Sequence, residues 1–140
     1  MNKCYQKSAQ QAYNTAAQPY VAAGTTLNIL GAQCTDCGCS IDTSTVGMAV
    51  ENSGLYYFSA AVISTPTAAG TQVVQLFNNG VAIPCAVSTV TTTAGSITTQ
   101  EVETVIPISA CCSVKPVITA RISGVTGTAN FVRMTAFKLA

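Results

Sequence analysis

Apolar and polar residues alternate in short runs along most of this chain, and turn-forming residues separate the runs. Residues 25–30 form a short apolar stretch closed by Gly31, and residues 40–50 are rich in Thr and Val. Residues 55–64 follow Gly54 and are almost continuously apolar. Residues 72–77 and 81–87 flank Asn78-Asn79-Gly80, and Asn-Gly is the strongest short hairpin signal because a type I′ turn needs positive φ at both central positions. In residues 97–108, Val102, Ile106 and Ile108 share one parity while Glu101 and Glu103 take the other. Residues 116–123 alternate Val117, Thr119 and Arg121 against Ile118, Ala120 and Ile122, and residues 131–139 put Phe131, Arg133, Thr135, Phe137 and Leu139 on one side. These eight runs predict eight strands, with Pro- and Gly-bearing loops at 65–70 and 91–95. No segment after Thr25 has a helical period, so the pattern predicts an all-β antiparallel sandwich or barrel.

Residues 1–24 read differently. They are rich in Gln, Ala and Asn, and Tyr5, Tyr13 and Tyr20 recur among small polar residues. They are expected to be an N-terminal arm outside the folded domain of residues 25–140. The arm is either a loose terminal segment or a docking element whose tyrosines offer apolar area together with a hydroxyl.

Composition changes the picture in one respect. Charged residues are 8% of the 140-residue chain and hydrophobic residues 49%, against about 25% charged in ordinary domains. A strand from 55 to 63 is apolar on both faces, whereas a surface strand of a monomer is polar on one. Burial by sister copies is the expected reason. The net charge is +1 and the six basic residues are scattered, which excludes a nucleic-acid footprint. No apolar run is long enough for a membrane helix, and residues 1–23 lack the apolar segment of a secretory signal, so synthesis in a cytoplasm is expected.

With no His in the chain, neither a Ser-His-Asp nor a Cys-His arrangement can be built. Glu101 and Glu103 are ~7 Å apart along one strand face, a spacing conceivable for glycoside hydrolysis but ordinary for a solvated strand face. The five acids are too scattered for calcium. The chain is read as non-enzymatic and without cofactor or metal. Its seven cysteines carry the most chemical content. Cys34, Cys37 and Cys39 form C-x-x-C-x-C, and Cys4, Cys85, Cys111 and Cys112 lie elsewhere. Three readings stand open: buried thiols acting as small hydrophobes, a disulfide within 34–39 or from there to Cys4, or a thiolate metal site that needs a fourth ligand from Cys4 or another subunit. Cys111 and Cys112 are adjacent, so on a strand their side chains point apart.

Gly54-Leu55-Tyr56-Tyr57-Phe58-Ser59, running on to Val62, resembles the G-x-Y-x-F signature of the tumour-necrosis-factor and complement-globular-head superfamily. Residues 131–139, with Phe137, resemble that family's last strand. Residues 74–84, Val-Gln-Leu-Phe-Asn-Asn-Gly-Val-Ala-Ile-Pro, are similar to the C-terminal domain of bacterial collagen-like spore-surface glycoproteins and of related phage virion proteins. The resemblance implies a ten-strand jelly roll that assembles as a homotrimer, with Tyr56, Phe58, Val62, Phe131 and Phe137 in its core and trimer-forming strands. It departs from the spore-surface branch in having no collagen Gly-X-Y repeat, in Cys85 after Pro84, and in its own arm. The expectation is therefore a structural protein of the virion surface, a trimeric capsid decoration or head-fibre protein of a bacteriophage. It would dock on a capsid or other virion protein through residues 1–24, with a surface glycan as a candidate ligand of its loops. The alternative is a trimeric adhesion or ligand-binding domain on a bacterial spore or cell surface.

Overall fold

The computed structural model describes residues 8–111 and 115–140. Twelve strands occur among them, and no helix. They are β1 (Ala9–Asn14), β2 (Gln18–Tyr20), β3 (Thr25–Thr26), β4 (Ala32–Cys37), β5 (Ile41–Thr43), β6 (Met48–Val50), β7 (Gly54–Pro66), β8 (Gly70–Asn78), β9 (Val81–Thr92), β10 (Thr98–Ile108), β11 (Val117–Ser123) and β12 (Gly127–Lys138). All pairings are antiparallel and fall into two sheets. The first runs β10-β7-β12-β1-β4, with β2 continuing the β1 edge of β12; the second runs β5-β6-β11-β8-β9, with β3 continuing the β6 edge of β11.

The parities read from the sequence set the faces. Along β7, Tyr56, Phe58, Ala60 and Val62 point between the sheets and are buried, as do Val132, Met134 and Ala136 of β12. Leu76, Ile118, Ile122 and Met48 answer from the second sheet. Leu27 and Ile29 are fully buried although the chain there is a strand only at Thr25–Thr26. The turn at Asn79-Gly80 has φ of 49° and 80°, as its residues dictate. Residues 40–50, expected as one strand, are a hairpin of β5 and β6. The return is closed by the Ser44 N–H donating to the Gly47 carbonyl at 2.8 Å, and residue 47 passes so near the Ile118 carbonyl that a Cβ there would clash with it.

The N-terminal segment differs most from expectation. Residues 9–14 are an internal strand, hydrogen-bonded to β12 on one side and β4 on the other, and residues 18–20 pair with the start of β12. The boundary at residue 24 is therefore corrected: from Ser8 onward the segment belongs to the sandwich. The physical reason is that β1 buries Gln10, Ala12 and Asn14 rather than large apolar residues. Gln10 is held by Asp36 (Nε2 to Oδ1, 2.7 Å) and by Thr43, whose hydroxyl donates to Oε1 at 2.7 Å. Asn14 donates to the Asn28 carbonyl at 3.0 Å. Hydrogen-bonded polar side chains fill inward positions that apolar ones occupy in the neighbouring strands.

Candidate functional site

The candidate site lies on the outward face of the first sheet. Its rows follow from the register. Glu101, Ala61, Arg133 and Tyr13 lie side by side across β10, β7, β12 and β1. The next row is Glu103, Ser59, Thr135 and Gln11, and the next Val105, Tyr57, Phe137 and Ala9. Two aromatic pairs lie on this face, one that includes Tyr13 of the charged row and one two rows away. Tyr57 and Phe137 stack with ring centres 4.6 Å apart, and Tyr13 stacks on Phe131 at 6.3 Å. All four rings are half-buried among the described residues, and Val105 beside them is 54% exposed. On the second sheet's outer face Arg121 lies over the Phe77 ring at 5.6 Å and donates to the Ala23 carbonyl.

Between the aromatic pairs the small residues Ser59 and Ala61 leave a half-open trough of about 310 Å³. Glu101 and Glu103 form one bank, Arg133 the other, and Tyr57 closes an end. The Tyr57 hydroxyl donates to Oε2 of Glu103 at 3.0 Å. Among the described residues, the side chains of Glu101 and Arg133 have no hydrogen-bond or ion-pair partner. The sequence marked Glu101 and Glu103 as a solvated strand face. It did not bring Arg133 to them, because the row is defined only by strand order.

The predicted site residues divide accordingly. Tyr56, Phe58 and Val62 are core, whereas Phe131 and Phe137 are on the outward face. Tyr20 is corrected from a docking residue to a core residue: it is 1% exposed, and its hydroxyl donates to Gln72 Oε1. Burial pushes its pKa up, opposed by a hydrogen bond with Ser64. Tyr13 lies in β1 on the outward face, and Tyr5 lies outside the described residues.

The cysteines resolve in part. Cys37 is disulfide-bonded and buried at the end of β4. Cys34, Cys39 and Cys85 are free thiols, and all three are exposed, so the reading of these as buried hydrophobes is corrected. Cys34 lies on edge strand β4, Cys39 follows the Gly38 turn, and Cys85 lies on edge strand β9 of the second sheet, all open to solvent. Cys4 and Cys112 lie outside the described residues. Cys39 opens on a shallow hollow with Asp36, Asp42, Glu51 and Lys115. There Lys115 pairs with Glu51 at 2.9 Å, and that carboxylate holds the lysine pKa up. No group of three His, Cys, Asp or Glu among the described residues is arranged to hold a metal ion.

No protein-family model and no curated protein sequence matches the chain. Solved structures do match in fold. The crystal structure of murine APRIL at pH 5.0 superposes with a TM-score of 0.66 at 13% identity, covering 96% of this chain and 100% of that one. The vertex protein P5 of PRD1 superposes with a TM-score of 0.59 at 14% identity, covering 94% of this chain and 72% of that one. The fold is a tumour-necrosis-factor-like jelly roll, and at such identities the likeness is one of fold alone.

Proposed function

We propose that this chain is a non-enzymatic structural protein of a bacteriophage virion, a capsid decoration or head-fibre protein that works as a homotrimer. The carrying observation is the aromatic outward face of the first sheet, half-exposed among the described residues, with its stacked pairs Tyr57–Phe137 and Tyr13–Phe131. Aromatic side chains are enriched in interface cores, and the low charge of the whole chain supports the same reading. The fold likeness to a phage vertex protein supports the virion setting. The absence of His removes the commonest general base, in keeping with a structural role.

Attachment through a separable 24-residue arm is withdrawn from this reading, since β1 and β2 are woven into the first sheet. Deleting residues 1–24 would remove two strands and test folding rather than docking.

Native mass spectrometry of the full chain, with a protein inventory of purified particles from the producing culture, tests the proposal. The expected result is a trimer without metal, recovered in the particle fraction. A monomer at micromolar concentration would overturn the assembly. A trimer found on cells or spores and missing from particles would replace the virion setting with a surface-adhesion role.

A further inference from the structure

Arg133 sits half-buried in the middle of an aromatic face, with no partner among the described residues. Covering that face with another protein removes water from the guanidinium, and a charge taken out of water needs an opposite charge with it. The face has two carboxylates, Glu101 and Glu103, both on edge strand β10 and both exposed. Tyr57 already holds Glu103 in position through its hydroxyl. Between the carboxylates and Arg133 lies the trough over Ser59 and Ala61, which none of the described residues fills. The face therefore carries an unpaired cation, two anions, and room for a long side chain beside the anions.

We propose that the occupant of this trough is a second copy of the same chain, whose Arg133 lies between Glu101 and Glu103 of its neighbour. The inference rests on the assembly proposed above and names the contact that holds it in register. The charge complementarity argues for a second copy over an unrelated partner: one surface supplies both halves of the pair. A pair of this kind, closed over by the aromatic residues around it, sets specificity and register, and truncating one side leaves the other buried and unpaired.

Three variants of the full chain test it by sedimentation velocity across a dilution series: Arg133→Glu, the double variant Glu101→Lys/Glu103→Lys, and the combination of all three. Circular dichroism would check that each folds. Each charge reversal alone is expected to weaken assembly about tenfold or more, and the combination to recover most of the loss. Wild type assembled, with Arg133→Glu equally assembled, overturns this contact and leaves the proposed assembly standing. So does a combined variant no better than the single reversals. A wild-type monomer overturns the assembly itself.

Discussion

Tyr20 donates its hydroxyl hydrogen to Oε1 of Gln72 across 2.5 Å, joining β2 of one sheet to β8 of the other inside the sandwich. Both side chains are essentially without solvent contact. Gln72 in turn donates to the Ser64 hydroxyl at 2.9 Å and to Gln100 Oε1 at 2.8 Å, and Gln100 donates to the Ser88 carbonyl at 2.9 Å. A buried polar network is stable when every member is satisfied and costly when one is removed. Tyr20→Phe leaves the Gln72 oxygen without its donor and is expected to cost about 1–3 kcal/mol. Gln72→Leu strands Tyr20, Ser64 and Gln100 together and is expected to cost more. Urea unfolding of the two variants measures the order; equal or negligible losses would show that the network contributes nothing.

Alkaline pH should loosen the fold through the same tyrosine. Burial raises the pKa of Tyr20 and of Tyr56 above the ordinary 10.0, against lowering hydrogen bonds with Ser64 and Ser40. The folded state thus keeps its phenolic protons where the unfolded chain gives them up. Their contribution is fully present below 10.0 and is lost as pH rises beyond it. Lys115, raised by Glu51, acts in the same direction, weakly because it is exposed. Unfolding midpoints taken from about pH 9 to about pH 11 are expected to fall, and to fall less in Tyr20→Phe relative to its own value at neutral pH.

Two glycines with left-handed backbone separate conformation from space. Gly80 has φ of 80° in an open turn, and a Cβ there meets nothing within 4 Å. Gly124 has φ of 97°, and a Cβ there would lie 2.0 Å from the Thr71 carbonyl oxygen. Its own N–H is fixed to the Ala22 carbonyl at 2.9 Å, so the loop cannot easily back away. Gly80→Ala is expected to cost about 1 kcal/mol, the ordinary charge for positive φ. Gly124→Ala adds a backbone clash and is expected to cost about 3 kcal/mol or more. Thermal melts of the pair decide it.

The cysteines give a chemical readout. Cys34, Cys39 and Cys85 are exposed free thiols, whereas Cys37 is bonded and buried. Brief alkylation of the native protein should label the first three and spare Cys37, which should react only after reduction and unfolding. Peptide mapping reads the sites, and early labelling of Cys37 would contradict the bond.

Much of the sandwich is legible where the inward residues are large and apolar. Tyr56, Phe58 and Val62, marked by the G-x-Y-x-F resemblance, are the buried parity of β7, whereas the last strand is apolar on both sides in the sequence and buries Val132, Met134 and Ala136 rather than Phe131 and Phe137. The Asn79-Gly80 turn is legible because only one turn type suits it. β1 was illegible for the opposite reason. Its inward residues are Gln10, Ala12 and Asn14, and their burial depends on partners as distant in sequence as Asp36, Thr43 and Asn28. In the sequence Tyr20 reads as a tail residue because its partner Gln72 is 52 positions away. The trough was hidden likewise: Glu101, Ala61 and Arg133 become one row only after β10, β7 and β12 are ordered.

Tyr57 and Phe58 are neighbours on β7 with opposite surroundings, and they allow fold and assembly to be measured apart. Phe58 is fully buried between the sheets, 6.1 Å from the Tyr56 ring. Phe58→Ala opens a cavity and is expected to cost about 3–5 kcal/mol of folding stability. Tyr57 points to the outward face, where its ring stacks on Phe137. Within one chain, Phe137→Ser loses an aromatic pair worth about 0.5–1.5 kcal/mol. Within an assembly it also strips apolar area from the centre of the contact, where losses of about 2 kcal/mol or more are expected. Phe137→Ser should thus remain folded while dissociating at protein concentrations that keep the wild type assembled, as sedimentation would record. Were it to unfold as readily as Phe58→Ala, the outward face would be part of the fold's own core, and the case for a covering partner would lose its main support.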